Sequence, residues 1–146
     1  MAESPGSRKM SQFVILVDTS AWVEYDRATG SATDLHLTDL IASGVDLAAT
    51  EPVLMEVLAG ARDEEAAIQL QRLLTGFRWI PAEAQTDFEA AAHTYRKCRS
   101  AGITPRGLIG CMIASIAMRT GSRLLAADAD FTRMATVLPL RLEKPV

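Results

Sequence analysis

The chain has 146 residues, 49% of them apolar and 23% charged, an ordinary soluble composition for one domain with a sizeable core. A formal net charge of −3 argues against a protein that coats nucleic acid non-specifically, although a local basic lip is compatible with it because binding follows the local field. Cys98 and Cys111 form no CxxC or Cys/His pattern, which speaks against structural zinc and for reduced thiols.

Residues 1–12 contain Ser4, Pro5, Gly6, Ser7, Arg8 and Lys9. They read as a disordered N-terminal extension, with Met10 an alternative start and no signal peptide. No apolar run approaches the ~20 residues that cross a bilayer, so no membrane role is expected and the cytoplasm is the expected location. The folded unit is placed at residues 13–146.

Phe13-Val14-Ile15-Leu16-Val17 is apolar at every position and leads straight into Asp18. Such a run suits a strand buried on both faces of a parallel sheet. Thr19 or Ser20 then caps a helix carrying Ala21, Trp22, Val23 and Tyr25. After a loop over residues 28–32, Leu35, Leu37, Leu40 and Ile41 mark a helix over 34–43, stopped by Gly44. Val45–Ala49 is a second strand. Thr50 caps the next helix, with Pro52 in its first turn, and Glu56 lies there among Val53, Leu54, Val57 and Leu58.

Gly60 breaks that pattern. Asp63 caps an alanine-rich helix that Gly76 closes, and Trp79-Ile80 is a brief strand. Thr86 and Glu89 have the spacing of a capping box, which starts a helix running to about Ala101. Thr104-Pro105 opens the sixth helix, ended by Gly121. Arg123–Ala127 is another buried strand leading into a carboxylate, Asp128. Asp130-Phe131 begins a short helix and Leu140–Leu142 makes an edge strand. Strands separated by helices predict an α/β fold, with a parallel central sheet of four to five strands flanked by helices.

Two strands thus deliver Asp18 and Asp128 to one sheet edge, where ligands of open α/β sheets bind, and a helix delivers Glu56. Asp130 reads equally well as a helix cap or as a further site acid. Converging carboxylates repel, and cations relieve the repulsion. Oxygen ligands without His or Cys favour Mg²⁺ or Mn²⁺. Such an ion can activate water and clamp a phosphodiester, so metal-assisted phosphodiester hydrolysis is the chemistry expected.

Four segments carry a family resemblance: Val17-Asp18-Thr19-Ser20-Ala21-Trp22, Met55-Glu56-Val57-Leu58-Ala59-Gly60, Arg106-Gly107-Leu108-Ile109-Gly110-Cys111-Met112-Ile113-Ala114 and Asp128-Ala129-Asp130-Phe131. In this order they resemble the PIN domain, and most of all the VapC toxins of bacterial toxin–antitoxin pairs. The resemblance runs from about residue 13 to the end. It implies a Mg²⁺-dependent endoribonuclease of the cytoplasm, with catalytic Asp18, Glu56 and Asp128, and with Asp18 and Asp128 on the metal. Ser20 falls on the small hydroxyl position beside the metal, and Asp130 on a further acid. The implied partners are a VapB antitoxin, an RNA substrate and a second copy of the chain, as a homodimer and, with antitoxin, a heterotetramer or larger assembly.

Gly110 departs from the family pattern, which has an aspartate in this metal-ligand position. Glycine in a helix interior costs about 1 kcal/mol against alanine and so asks for a reason. One is close packing, with Gly107 and Ala114 on nearby turns; the other, which is favoured, is a ligand removed by nature or by engineering. The chain is therefore expected to bind Mg²⁺ weakly and cleave RNA poorly, and the alternative is a catalytically inactive PIN domain that only binds antitoxin or RNA.

Arg96, Lys97, Arg99 and Arg106 cluster around the turn before the sixth helix. Arg106, one turn before Gly110 and on the same helix side, is the expected RNA grip. Few aromatics are available for stacking, which favours a structured RNA such as tRNA, cut in an exposed loop. The 34–43 and 64–75 helices can offer apolar surface to a partner helix. A phosphatase built on Asp18 is disfavoured, because position 20 is serine and not a second acid. A sugar-nucleotide enzyme rests on the Asp128-Ala129-Asp130 triplet alone.

Overall fold

The computed structural model describes residues 13–146, and the expectation for residues 1–12 lies outside the described residues. From β1 (Ile15–Val17) the chain runs through α1 (Thr19–Asp26), α2 (Ala32–Ser43), β2 (Leu47–Ala49), α3 (Glu51–Ala59) and α4 (Glu64–Thr75). It continues through β3 (Arg78–Trp79), α5 (Ala84–Ser100), α6 (Leu108–Thr120), β4 (Arg123–Leu125) and α7 (Ala129–Met134). The result is an α/β fold around a four-stranded sheet of order β3-β2-β1-β4, parallel at every pairing.

β1 occupies an inner position because Leu16 and Val17 have no polar face to offer water, and both are fully buried. Leu124 and Leu125 of β4 and Ala48 and Ala49 of β2 are buried beside them. Small alanines in β2 leave room for the helices above. On the helical side Trp22 of α1 is buried against Tyr25 and Phe77, with ring centroids 5.9 and 5.5 Å away. Burying side chains of this size contributes roughly 1.5–3 kcal/mol each. Helices α5 and α6 pack along one another, joined in the interior by a 3.0 Å hydrogen bond between the Thr94 and Ser115 hydroxyls.

The order of strands fixes where a site can form. The chain adds β2 and then β3 on one side of β1, and later places β4 on its other side. The direction of winding therefore reverses between β1 and β4, and the crevice of such a sheet opens at the carboxyl ends flanking that reversal. Asp18 follows β1 and Asp128 follows β4.

Several element ends differ from expectation. The strands are shorter than expected, three residues each for β1, β2 and β4. Asp18, not Thr19 or Ser20, is the cap of α1, accepting from the Ser20 N–H. α2 starts earlier, at Ala32, with Ser31 as its cap. Thr50 precedes α3 but makes no side-chain cap bond. Thr86 does not start α5, which begins at Ala84. There Asp87 reaches back to the Glu83 N–H at 2.7 Å and takes the place of the expected capping box. Thr104-Pro105 stays in the loop, and α6 begins only after an extended Gly107. Leu140–Leu142 contributes one parallel bridge, Leu142 to Leu124, in place of a full strand. Among the described residues no helix is long and apolar enough to cross a membrane.

Candidate active site

A cleft of about 420 Å³ opens at the β1/β4 reversal. Asp18, Ser20, Glu56, Arg106, Gly110, Asp128 and Asp130 all line it. The residues singled out from the sequence are thus gathered in one place.

Asp18 is only 4% exposed. Its Oδ2 accepts from the Ser20 N–H at 3.0 Å and from the Ser20 hydroxyl at 2.6 Å. Burial pushes its carboxyl up to about 6, against the pull of the two Ser20 bonds and with help from the charges of Glu56 and Asp128. Ser20 also accepts at Oγ from the Ala127 N–H, at 2.9 Å. It therefore fastens the loop after β1 to the loop after β4.

Glu56 lies in the middle of α3, and its Oε1 accepts from the Thr19 hydroxyl at 2.7 Å. Asp128 caps α7, where its Oδ1 accepts from the Asp130 N–H at 2.9 Å. The same oxygen accepts from Nη2 of Arg106. Asp130 is 6% exposed, accepting from the Arg106 backbone N–H at 3.0 Å and from Arg133 at 2.7 Å. Burial raises the Asp130 carboxyl. The Arg106 N–H, the Arg133 bond and the charges of both arginines outweigh that and hold it below the ordinary value.

A pattern emerges from these bonds. Among the described residues, Asp18, Glu56 and Asp128 each have one oxygen engaged by protein donors (Oδ2, Oε1 and Oδ1). Their other oxygens, Oδ1, Oε2 and Oδ2, accept from no group among the described residues. Three half-tethered carboxylates on one cleft form a hard oxygen donor set, of the kind that suits Mg²⁺ or Mn²⁺. Among the described residues, no three His, Cys, Asp or Glu side chains converge as a complete metal cage. A hard divalent cation that keeps several waters needs only one or two direct carboxylates, which this donor set can supply.

Two expectations need correction. Arg106 does not share a helix face with Gly110: it precedes Gly107, the cap of α6, and its guanidinium sits on Asp128. Nor does close packing demand glycine at 110. A Cβ there would meet only Phe131 Cζ, at an ordinary 3.7 Å. A Cβ is tolerated at this position.

Thr19 is the functional candidate that sequence reasoning placed only as a helix cap. Its hydroxyl orients Glu56 across 37 residues of sequence, and the only signal was its position between Asp18 and Ser20. Of the other arginines, Arg119 is spent on Glu83 and Asp87, Arg123 on Glu143 and Arg133 on Asp130.

Comparison with known proteins identifies relatives of the whole fold. The family model described as PIN domain matches residues 15–137. The VapC ribonuclease Mb1587 of Mycobacterium bovis is 42% identical over 129 residues, covering 88% of this chain and 96% of the relative. Ribonuclease VapC11 of Mycobacterium tuberculosis matches equally well, at 42% identity over the same shares. Among solved structures, VapBC2 from Rickettsia felis, bound to a DNA fragment from its promoter, superposes with a TM-score of 0.71 at 19% identity, covering 90% of this chain and 98% of that one.

Proposed function

The chain belongs to the PIN-domain family, and from that premise we propose that it is a divalent-metal-dependent endoribonuclease toxin, neutralised by a VapB-type antitoxin. The observation that carries the reading is the set of half-tethered carboxylates of Asp18, Glu56 and Asp128 on one cleft. The ribonuclease names of the 42% identical relatives support it.

In this reading Asp18 and Asp128 hold Mg²⁺, or Mn²⁺ in its place. Bound there, such an ion would supply charge neutralisation at the phosphodiester and activation of water. Ser20 keeps the Asp18 carboxylate turned so that Oδ1 faces the cleft. Thr19 does the same for Glu56, whose Oε2 accepts a proton from the attacking group. Arg106 meets the RNA backbone at the rim. Structured RNA such as tRNA, cut at an exposed loop in the cytoplasm, is the proposed substrate. Leu35 of α2 and Ile68 of α4 remain 61% and 46% exposed, apolar surface of the sort an antitoxin helix covers. A homodimer, and a heterotetramer or larger assembly with antitoxin, completes the proposal.

Gly110 is read as a vacated ligand position. Mg²⁺ binding and RNA cleavage are then both weak, and Gly110→Asp restores them, since a Cβ there meets only Phe131 Cζ, at an ordinary 3.7 Å. It also supplies the first turn of α6 with an acid, which that turn lacks, worth about 0.3–1 kcal/mol toward the helix dipole. The measurement is Mg²⁺ titration with RNA cleavage on both proteins; equal affinity and equal cleavage would refute the vacated-ligand reading. The room left beside Phe131 by the glycine also favours a second reading, a PIN domain that binds antitoxin or RNA without cutting. No cleavage by either protein, with Mg²⁺ bound, selects it.

A further inference from the structure

The four carboxylates on the cleft are not equally neutralised. Arg133 is paired with Asp130, and Arg106 with Asp128. Asp18 and Glu56 have no cationic partner among the described residues. Arg106 differs from Arg133 in how it is held. Its backbone N–H is fixed by the buried Asp130 at 3.0 Å, while its side chain is 70% exposed. The main chain is anchored and the guanidinium is free to swing.

We propose that Arg106 is an internal counter-ion which a divalent cation displaces from Asp128, and which then turns outward to a substrate phosphate. The inference rests on the metal-dependent reading above. Its physical basis is charge. A dication and a guanidinium on one carboxylate repel across a few ångströms, and Asp128 is the one proposed ligand that already carries a cation. An exposed ion pair is weak, so the ion displaces the arginine at little cost. The anchored backbone keeps the released guanidinium at the mouth of the cleft, where a polyanion must pass. Loading of the metal and gripping of the substrate thereby become coupled.

The test uses the full chain and its Arg106→Gln and Arg106→Lys variants, with Mn²⁺ alone titrated calorimetrically. Arg106→Gln should bind Mn²⁺ roughly two- to fivefold more tightly, the range an exposed ion pair carries, and Arg106→Lys should stay near the parent. A labelled RNA hairpin, shown intact on a gel, then reports coupling by anisotropy: Mn²⁺ should tighten its binding more in the parent than in Arg106→Gln. Equal or weaker Mn²⁺ affinity in Arg106→Gln overturns the counter-ion role, as does equal tightening in Arg106→Lys. The same holds if Mn²⁺ tightens the hairpin equally in parent and Arg106→Gln. No Mn²⁺ binding by any of the three overturns the metal-dependent reading itself.

Discussion

Asp18 does two things with one carboxylate. As the cap of α1 it satisfies an N–H that the helix cannot, and as a cleft acid it keeps an oxygen free. Both roles favour the charged form, yet burial opposes it and raises the carboxyl to about 6. The folded protein therefore holds a proton that the unfolded chain, with an ordinary value near 3.8, has already lost. Stability falls as pH rises from about 4 to about 6 and stays lower above that, by about 3 kcal/mol for this group alone. Urea unfolding across that window should show the decline in the parent protein and a flatter profile in Asp18→Asn, which keeps the cap. Asp130, held below its ordinary value, acts in the opposite sense: its contribution is lost only as pH falls below the unfolded range.

Among the elements, the α5–α6 pair carries the most exacting polar contact. Asp87 is fully buried and receives Nε and Nη2 of Arg119 at 2.9 Å each, together with the Glu83 N–H. Replacing it by alanine strands an arginine and a helix-terminal N–H. Asp87→Ala should lower unfolding free energy by roughly 2–4 kcal/mol, slightly less than a fully enclosed pair because Arg119 retains some water. Denaturant midpoints measure it.

The same pair shows what a sequence can reveal. An apolar run leading into an acid singled out Asp18 and Asp128, both of which line the cleft. The partnership of Asp87 with Arg119, and of Ser20 with Ala127 across 107 residues, left no local trace. Thr86-Glu89 offered a valid capping box, but Asp87 served Glu83 first and moved the helix start. Pro105 likewise read as a first-turn proline, while the extended Gly107 postponed α6. That shift transferred Arg106 from a helix face to the cleft.

For the whole molecule, the balance of charge sets how RNA is held. The chain is net negative, and Arg78, Arg119, Arg123 and Arg133 are engaged in ion pairs within the protein. Arg96, Lys97 and Arg99 near the end of α5 are exposed. With Arg106 they make four candidate phosphate contacts. The logarithm of RNA affinity against the logarithm of salt should then slope at about −3 for a single-stranded site. A slope near zero would remove these residues from the interface.

The carboxyl-terminal tail matters beyond its size. Leu142 bridges to Leu124, the backbones of Arg141 and Glu143 bond to Leu124 at 2.9 Å, and Glu143 joins His36 to Arg123. These residues shield the outer margin of β4. Deleting residues 141–146 would leave bare peptide groups along a parallel strand, a template on which other chains can add. Light scattering should then detect sticky oligomers, while the cleft acids stay untouched. By covering the β4 edge, residues 141–143 would hinder such strand addition.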